Sequence, residues 1–377
     1  MEQGRFEPEC ARNASFEKLP SVSESHMSEG RRHINIPIFL PQYGCRHRCV
    51  YCSQEKITGK KGPKPGEIAD EIRKILATVG RVGTDIEIAF FGGSFTALPR
   101  QEMTAYLETA AVFVRAGEAD GIRLSTRPDA IDGEILDILK DYGVGTIELG
   151  IQSMSDSVLE RCGRGHTAED TRRACRAITG RGFALVGQMM TGLPGSSAED
   201  EKLTAAEIAA MGASAARIYP TVVFEGTLLA GMMRSGVYIP PSYEESVMRA
   251  AGALRIFADR GIPVIRIGLC ESESLHTSGG IVAGAYVPSM GEEIRSEVWF
   301  SLADEALSAA QLPKDSPVTL CVPKGAVSQM TGRGRGILRR LENRYSLAKI
   351  HVRGEDISPW HLTLAVESAA AADPASS

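Results

Sequence analysis

Cys45-Arg46-His47-Arg48-Cys49-Val50-Tyr51-Cys52 places three thiols at the spacing C-x3-C-x2-C, directly after the strand-like run His33-Ile34-Asn35-Ile36-Pro37-Ile38-Phe39-Leu40. Three of the eight cysteines of the chain lie in this stretch. Thiolates this close on a short loop can all reach one polynuclear centre, and soft sulfur ligands select iron-sulfur clusters or zinc. A structural zinc site is normally closed by four protein ligands, commonly as two paired clusters. Downstream there is no second C-x2-C and no H-x3-H. Three cysteines on a 4Fe-4S cluster would leave one iron open to a small ligand. The competing reading is a zinc clip closed by His47, Cys162 or Cys175.

Beyond this loop, residues 33–270 alternate short β-branched runs with amphipathic stretches. Strands are expected at 34–40, 86–91, 121–126, 146–151, 183–190 and 215–220. Helices are expected near 66–79, 100–115, 131–141, 155–161, 167–181 and 198–211. Parallel strands need a long return path, so six successive βα units predict an α/β fold, a partial (β/α) barrel of about six parallel strands. The marked clusters fall just after strands: the cysteines after the first, Gly92-Gly93-Ser94 after the second, Arg127-Pro128-Asp129 after the third, Gln152-Ser153 after the fourth, Thr191 to Gly195 after the fifth. Loops at the carboxyl ends of parallel strands share one face, which carries the site in such folds.

With these residues in view, the cysteine spacing and the aromatic Tyr51 before the last cysteine resemble the radical S-adenosylmethionine (radical SAM) superfamily. The resemblance implies a 4Fe-4S cluster on Cys45, Cys49 and Cys52. It further implies S-adenosylmethionine chelated to the open iron and cleaved to a 5'-deoxyadenosyl radical, with an electron donor such as flavodoxin or ferredoxin. Cofactor contacts are expected from Tyr51, Gly92, Gly93, Ser94, Ser125, Gln152, Arg164 and Gln188. The glycine pair removes side chains from an approach to a ligand, although such a pair is also an ordinary tight turn. Ser94 stands where the family usually has Glu. Ser125 and Thr126 offer hydroxyls to a ribose, and the guanidinium of Arg164 matches a carboxylate. Gln188 lies where some relatives carry an aspartate, and His166 reads as a loop residue before a helix cap at Thr167.

Phe91 to Pro99, Thr126 to Asp129, Arg217 to Leu228 and Val282 to Pro288 resemble the catalytic subunit of Elongator and its relatives, over about residues 33–310. That family acts on the wobble uridine of tRNA, so a tRNA substrate is implied. Two departures stand out: the first two cysteines are closer together here, and the stretch of this sequence after residue 310 is too short for an acetyltransferase domain. One rival is a tetrapyrrole enzyme similar to the oxygen-independent coproporphyrinogen dehydrogenase. Another is a zinc-stabilised, non-catalytic RNA-binding protein.

The flanking regions complete the organisation. Residues 1–32 read as a flexible leader, with Met27 an alternative start, and 271–310 as an extension completing the core. Residues 311–362 read as a basic α+β unit and 363–377 as a disordered tail. Strand, helix, glycine loop, helix and strand over 318–352 is the order of a KH-like RNA-binding unit, although Gly332-Arg333-Gly334-Arg335 displaces the second glycine of a GxxG loop. Within 324–353 eight Lys or Arg face one Glu, a local charge of +7 against −5 for the whole chain. Lys324, Arg333, Arg335, Arg339 and Arg340 are the expected RNA contacts. A solvated helix face is the plainer alternative.

At 377 residues and 43% hydrophobic, the chain can bury a large core. Cys10, Cys162, Cys175, Cys270 and Cys321 are scattered without a disulfide framework, which suits a reducing, cytoplasmic setting. No apolar run is long enough to span a bilayer.

Overall fold

The computed structural model describes residues 31–45, 48–53, 62–269 and 280–366. Met27, Cys10, Cys270 and most of the expected leader lie outside them. The chain divides into two compact units at Pro288/Ser289.

The first unit runs β1 (Arg32–Phe39), α1 (Ile68–Leu76), β2 (Thr84–Phe91), α2 (Arg100–Arg115), β3 (Gly121–Thr126), α3 (Gly133–Asp141), β4 (Val144–Gln152), α4 (Asp156–Arg161), α5 (Ala168–Gly180), β5 (Ala184–Thr191), α6 (Ala198–Ala210), β6 (Ala215–Pro220), β7 (Val222–Phe224), α7 (Leu228–Arg234), α8 (Tyr243–Asp259), β8 (Val264–Ile267) and β9 (Ile281–Gly284). Seven strands, β1 to β6 and β8, pair in parallel in that order and curl into a half-barrel. The expected fold is therefore present with one strand more than the six read from sequence. β7 and β9 pair antiparallel as a separate ribbon.

Alternation explains the layering. Ile36, Ile38, Ile88, Phe90, Ile122, Leu124, Ile147 and Leu149 are wholly buried, and each such side chain contributes about 1.5–3 kcal/mol by burial. Gly187 marks the helix-covered face, since a Cβ there would lie 2.4 Å from the Ile208 side chain of α6. The residues between, Glu87, Arg123, Glu148, Gln188 and Arg217, line the other, concave face and pair with one another. Helix starts follow local chemistry: Asp132 caps α3, while Thr167 with Asp170 and Ser197 with Asp200 form capping boxes on α5 and α6.

The second unit contains α9 (Met290–Ala310), β10 (Pro317–Pro323), α10 (Val327–Thr331), α11 (Gly336–Tyr345), β11 (Lys349–Glu355) and β12 (Thr363–Val366). β10 is central, parallel to β11 and antiparallel to β12. Two expectations change here. Helix α9, read from sequence as part of the core extension, packs Trp299, Ala303 and Leu307 with Val318, Leu320 and Leu338 of the C-terminal unit. Thr363–Val366, read as the start of a disordered tail, forms a strand beside Val318–Cys321, with Leu364 opposite Leu320. A short apolar alternation finds a free edge of β10 and pairs there.

Among the described residues no helix is long and apolar enough to cross a membrane.

Candidate functional site

The cysteine loop leaves β1 and is held from three sides by main-chain bonds. Ser94 N–H donates to Tyr43 O at 2.8 Å, Val50 N–H to Cys162 O at 3.0 Å, and Leu229 N–H to Val50 O at 2.8 Å. The loop after β2 comes so close that a Cβ on Gly93 would lie 2.3 Å from Tyr43 O, and one on Gly44 2.2 Å from Ser94 O. These glycines serve packing of one loop on the other, a use that local sequence does not disclose. Cys45 is exposed, and Cys49 and Cys52 are half-buried.

Around Cys49 two guanidiniums converge. Arg164, between α4 and α5, places Nη1 3.3 Å from Cys49 Sγ and Nη2 2.5 Å from Gly150 O. Arg127, just after β3, places Nη1 4.0 Å from the same sulfur. Both arginines are 5% exposed. Arg127 stands outside the expected contact set, although it lies in the cluster marked after the third strand.

Gln152 ends β4 with φ of 68°, a left-handed conformation rare for a side-chain-bearing residue, at a break in the β4–β5 register. The Gln152 amide and Arg164 Nη2 both lie close to Gly150, within 3.5 Å of where a Cβ would stand. Among the described residues, Gln152 Oε1, Arg164 Nε and the Tyr51 hydroxyl are buried without a hydrogen-bond partner. Orphaned buried polar atoms are costly unless a ligand or water satisfies them. Burial raises the pKa of the Tyr51 phenol, which stays neutral. Burial first, then the nearby Arg164 and Arg127, push the His166 imidazole down to about 3.

The remaining expected contacts separate into two groups. Ser125 and Gln188 meet on the concave face, where Gln188 Nε2 lies 3.4 Å from Ser125 Oγ and 2.8 Å from Glu148 Oε2. Ser94 is fully buried, and its hydroxyl sits 3.1 Å from Thr126 Oγ1, which also meets Thr96 Oγ1 at 2.6 Å. The carboxylate missing at position 94 is thus replaced by an inward hydroxyl network. Glu148, a charged residue in mid-strand, was missed by sequence reasoning. Its signal is its position between Ile147 and Leu149 in a strand buried on both faces.

Among the described residues, no three His, Cys, Asp or Glu side chains stand at the spacing of a single metal ion. Burial pushes the thiols of Cys162 and Cys175 up to about 12. Three thiols on one loop, two cations at one sulfur and spare buried donors and acceptors nearby fit a thiolate-bound cluster with a polar cofactor beside it.

In the second unit the five expected RNA contacts are described, but most are already engaged. Arg335 pairs with Glu342 at 3.0 Å, Arg340 with Glu297 on α9 while stacking 3.9 Å over Phe300, and Lys324 with Asp356 at 3.1 Å. Arg339 donates to Gly334 O. Residues 289–366 carry ten Lys or Arg against nine Asp or Glu, so the acids of α9 with Glu355 and Asp356 offset most of the local +7. Arg335, at φ of 63°, ends the glycine loop and is held by Glu342 and the Ile350 carbonyl. Arg333 is exposed.

Comparison with known proteins agrees with this geometry. The Radical SAM superfamily matches residues 39–206, and the Radical_SAM C-terminal domain matches residues 213–299. The chain is 28% identical over 192 residues to the tRNA uridine(34) acetyltransferase of Methanocaldococcus jannaschii, covering 46% of this chain and 36% of that protein. It is 24% identical over 221 residues to the heme chaperone HemW of Bacillus subtilis, covering 57% of each. The chain thus spans between about a third and three-fifths of these relatives. Among solved structures, Elp3 of Methanocaldococcus infernus shares the fold, with a TM-score of 0.55 and 21% identity over 75% of this chain and 64% of that one. The chain belongs to the radical SAM superfamily and is a relative of the Elongator catalytic subunit.

Proposed function

We propose that the chain uses Cys45, Cys49 and Cys52 to hold a 4Fe-4S cluster and binds S-adenosylmethionine beside it, to modify a tRNA base. The observation that carries this reading is the paired approach of Arg164 and Arg127 to Cys49 Sγ, next to the unpartnered Gln152 Oε1 and Arg164 Nε. A cluster held there would, when reduced, supply an electron for the reductive cleavage of S-adenosylmethionine.

The chain's own residues bind, orient and exclude water. Arg164 Nε is the donor for the cofactor carboxylate, and Gln152 Oε1 the acceptor for a cofactor N–H or O–H. Tyr51 offers its neutral hydroxyl from the cysteine loop. Gly92 and Gly93 offer main-chain groups, whereas the Ser94 hydroxyl and N–H are already bonded, to Thr126 and Tyr43. Ser125 and Gln188, oriented by Glu148, present polar atoms from the concave face. An electron donor such as flavodoxin or ferredoxin supplies reducing equivalents.

The tRNA substrate is supported by the similarity to the tRNA uridine(34) acetyltransferase, which acts on that nucleoside by its name. A second reading, a tetrapyrrole-handling protein, is favoured by the similarity to HemW. Anaerobic reconstitution with iron and sulfide, then dithionite and S-adenosylmethionine, tests the chemistry through 5'-deoxyadenosine. Formation that disappears in Cys49→Ala is expected; cleavage retained in that variant refutes the ligand assignment. A porphyrin absorbance band in the purified chain, with no affinity for tRNA, would favour the second reading.

A further inference from the structure

We propose that Arg127 is a positioning residue that sets the reduction potential of the cluster, by holding a fixed positive charge at Cys49 and anchoring the main chain of Arg164. The inference rests on the cluster reading above.

The hydrogen bonds of Arg127 leave its orientation little freedom. Its Nε and Nη2 form a fork with Asp129, at 2.9 Å to Oδ1 and 3.1 Å to Oδ2. Nη2 also donates to the main-chain carbonyl of Arg164. Nη1 is thereby turned toward Cys49 Sγ, at 4.0 Å. The motif Arg127-Pro128-Asp129 builds this arrangement locally, since the short turn after β3 brings the carboxylate under its own guanidinium. The bond to the Arg164 carbonyl fixes the segment from which Arg164 Nη1 reaches the same sulfur at 3.3 Å.

Two cations at one cysteine sulfur have a definite electrostatic consequence. Reduction adds one negative charge to a cluster, and buried cations stabilise that charge far more than they would in water. Hydrogen bonds to ligand sulfur and local net charge are among the factors that set cluster potentials. The Asp129 side chain is 26% exposed against 6% for that of Arg127, so water screens the carboxylate more than the cation. The net effect at Cys49 is positive, and the reduced state is favoured.

The test is a redox titration followed by electron paramagnetic resonance, on the reconstituted wild-type chain, Arg127→Gln and Asp129→Asn, without S-adenosylmethionine. Arg127→Gln is expected to keep its cluster and to show at least a tenfold lower ratio of reduced to oxidised cluster at a fixed potential, a shift of about 59 mV toward more negative values for a one-electron couple. Asp129→Asn, which removes the opposing carboxylate while the Arg164 carbonyl still holds Arg127 Nη2, is expected to shift the midpoint by less and toward less negative values. Loaded variants with the wild-type midpoint overturn the role of Arg127 while leaving the cluster reading intact. Loss of the cluster from both variants overturns it in favour of a purely structural role. A wild type that takes up no iron-sulfur cluster defeats the cluster reading itself.

Discussion

The guanidinium of Arg217 on β6 grips the carboxylate of Glu148 on β4 across the intervening strand, with Nε 2.8 Å from Oε2 and Nη2 2.8 Å from Oε1. Glu148 is fully buried and also accepts from Arg123 at 3.0 Å and Gln188 at 2.8 Å. Burial opposes its charge, but Arg217 and Arg123 outweigh it and hold the carboxyl below the ordinary glutamate range. The carboxylate therefore stabilises the fold fully above the unfolded pKa, and this contribution is lost as pH falls through the lower folded value. Glu148→Ala should cost about 3–5 kcal/mol, because it strands buried guanidinium. Glu148→Gln should flatten the acid limb of stability against pH, measured by denaturant unfolding; an acid limb like that of wild type would show that the carboxylate does not carry it.

Gly93→Ala should dislodge the cysteine loop. The added methyl would meet the main-chain oxygens of Tyr43 at 2.3 Å and Leu40 at 2.7 Å, and neither can rotate away as a side chain would. Overpacking of this kind costs about 1–3 kcal/mol. Iron bound per chain after reconstitution should fall with the melting temperature. Full iron content in the variant would show that the two loops can separate without loss of the site.

His166 gives the site a pH dependence of its own. Its imidazole titrates near 3 in the fold because of burial and the adjacent Arg164 and Arg127, against about 6.5 in the unfolded chain. Between those values the unfolded state binds the extra proton, so stability declines as pH falls, by about 1.4 kcal/mol per pH unit. His166→Asn should remove that slope. Stability measured between pH 7 and 4 would have to change equally in the variant and wild type to exclude this.

These three sites differ in how far the sequence announced them. Parallel βα units bring strand ends together whatever their sequence separation, so the cysteine loop, Gly92-Gly93, Arg127-Pro128-Asp129 and Gln152 could be read as one face. Their partners could not. Gly93 reads as room for a ligand, but the atoms it accommodates belong to Leu40 and Tyr43, some fifty residues earlier. Arg127 reads as a cation, yet its target Cys49 is 78 positions away. β8 has only four residues, too few for periodicity to register. The basic stretch 324–353 was counted without Glu297 and Asp304, because α9 had been read with the core; both acids pair with Arg340 and Arg344 once the helix packs.

That pairing decides which arginine tests RNA binding. Arg335 is held by Glu342 and by the Ile350 carbonyl, at 3.0 and 3.4 Å. Arg335→Glu would set two carboxylates against each other and loosen the packing of α11 on β11, so its effect would mix folding with binding. Arg333 sits on the same glycine loop, is exposed, and can be changed without that penalty. If the loop touches phosphate, Arg333→Glu should lower tRNA affinity and reduce the slope of log affinity against log salt by about 0.7–0.9, the share of one neutralised phosphate. The melting temperature should stay within about 1 °C of wild type. An unchanged salt slope would remove this loop from the RNA surface, leaving the charges of the second unit as the internal pairs that Arg340 makes with Glu297 and Arg344 with Asp304.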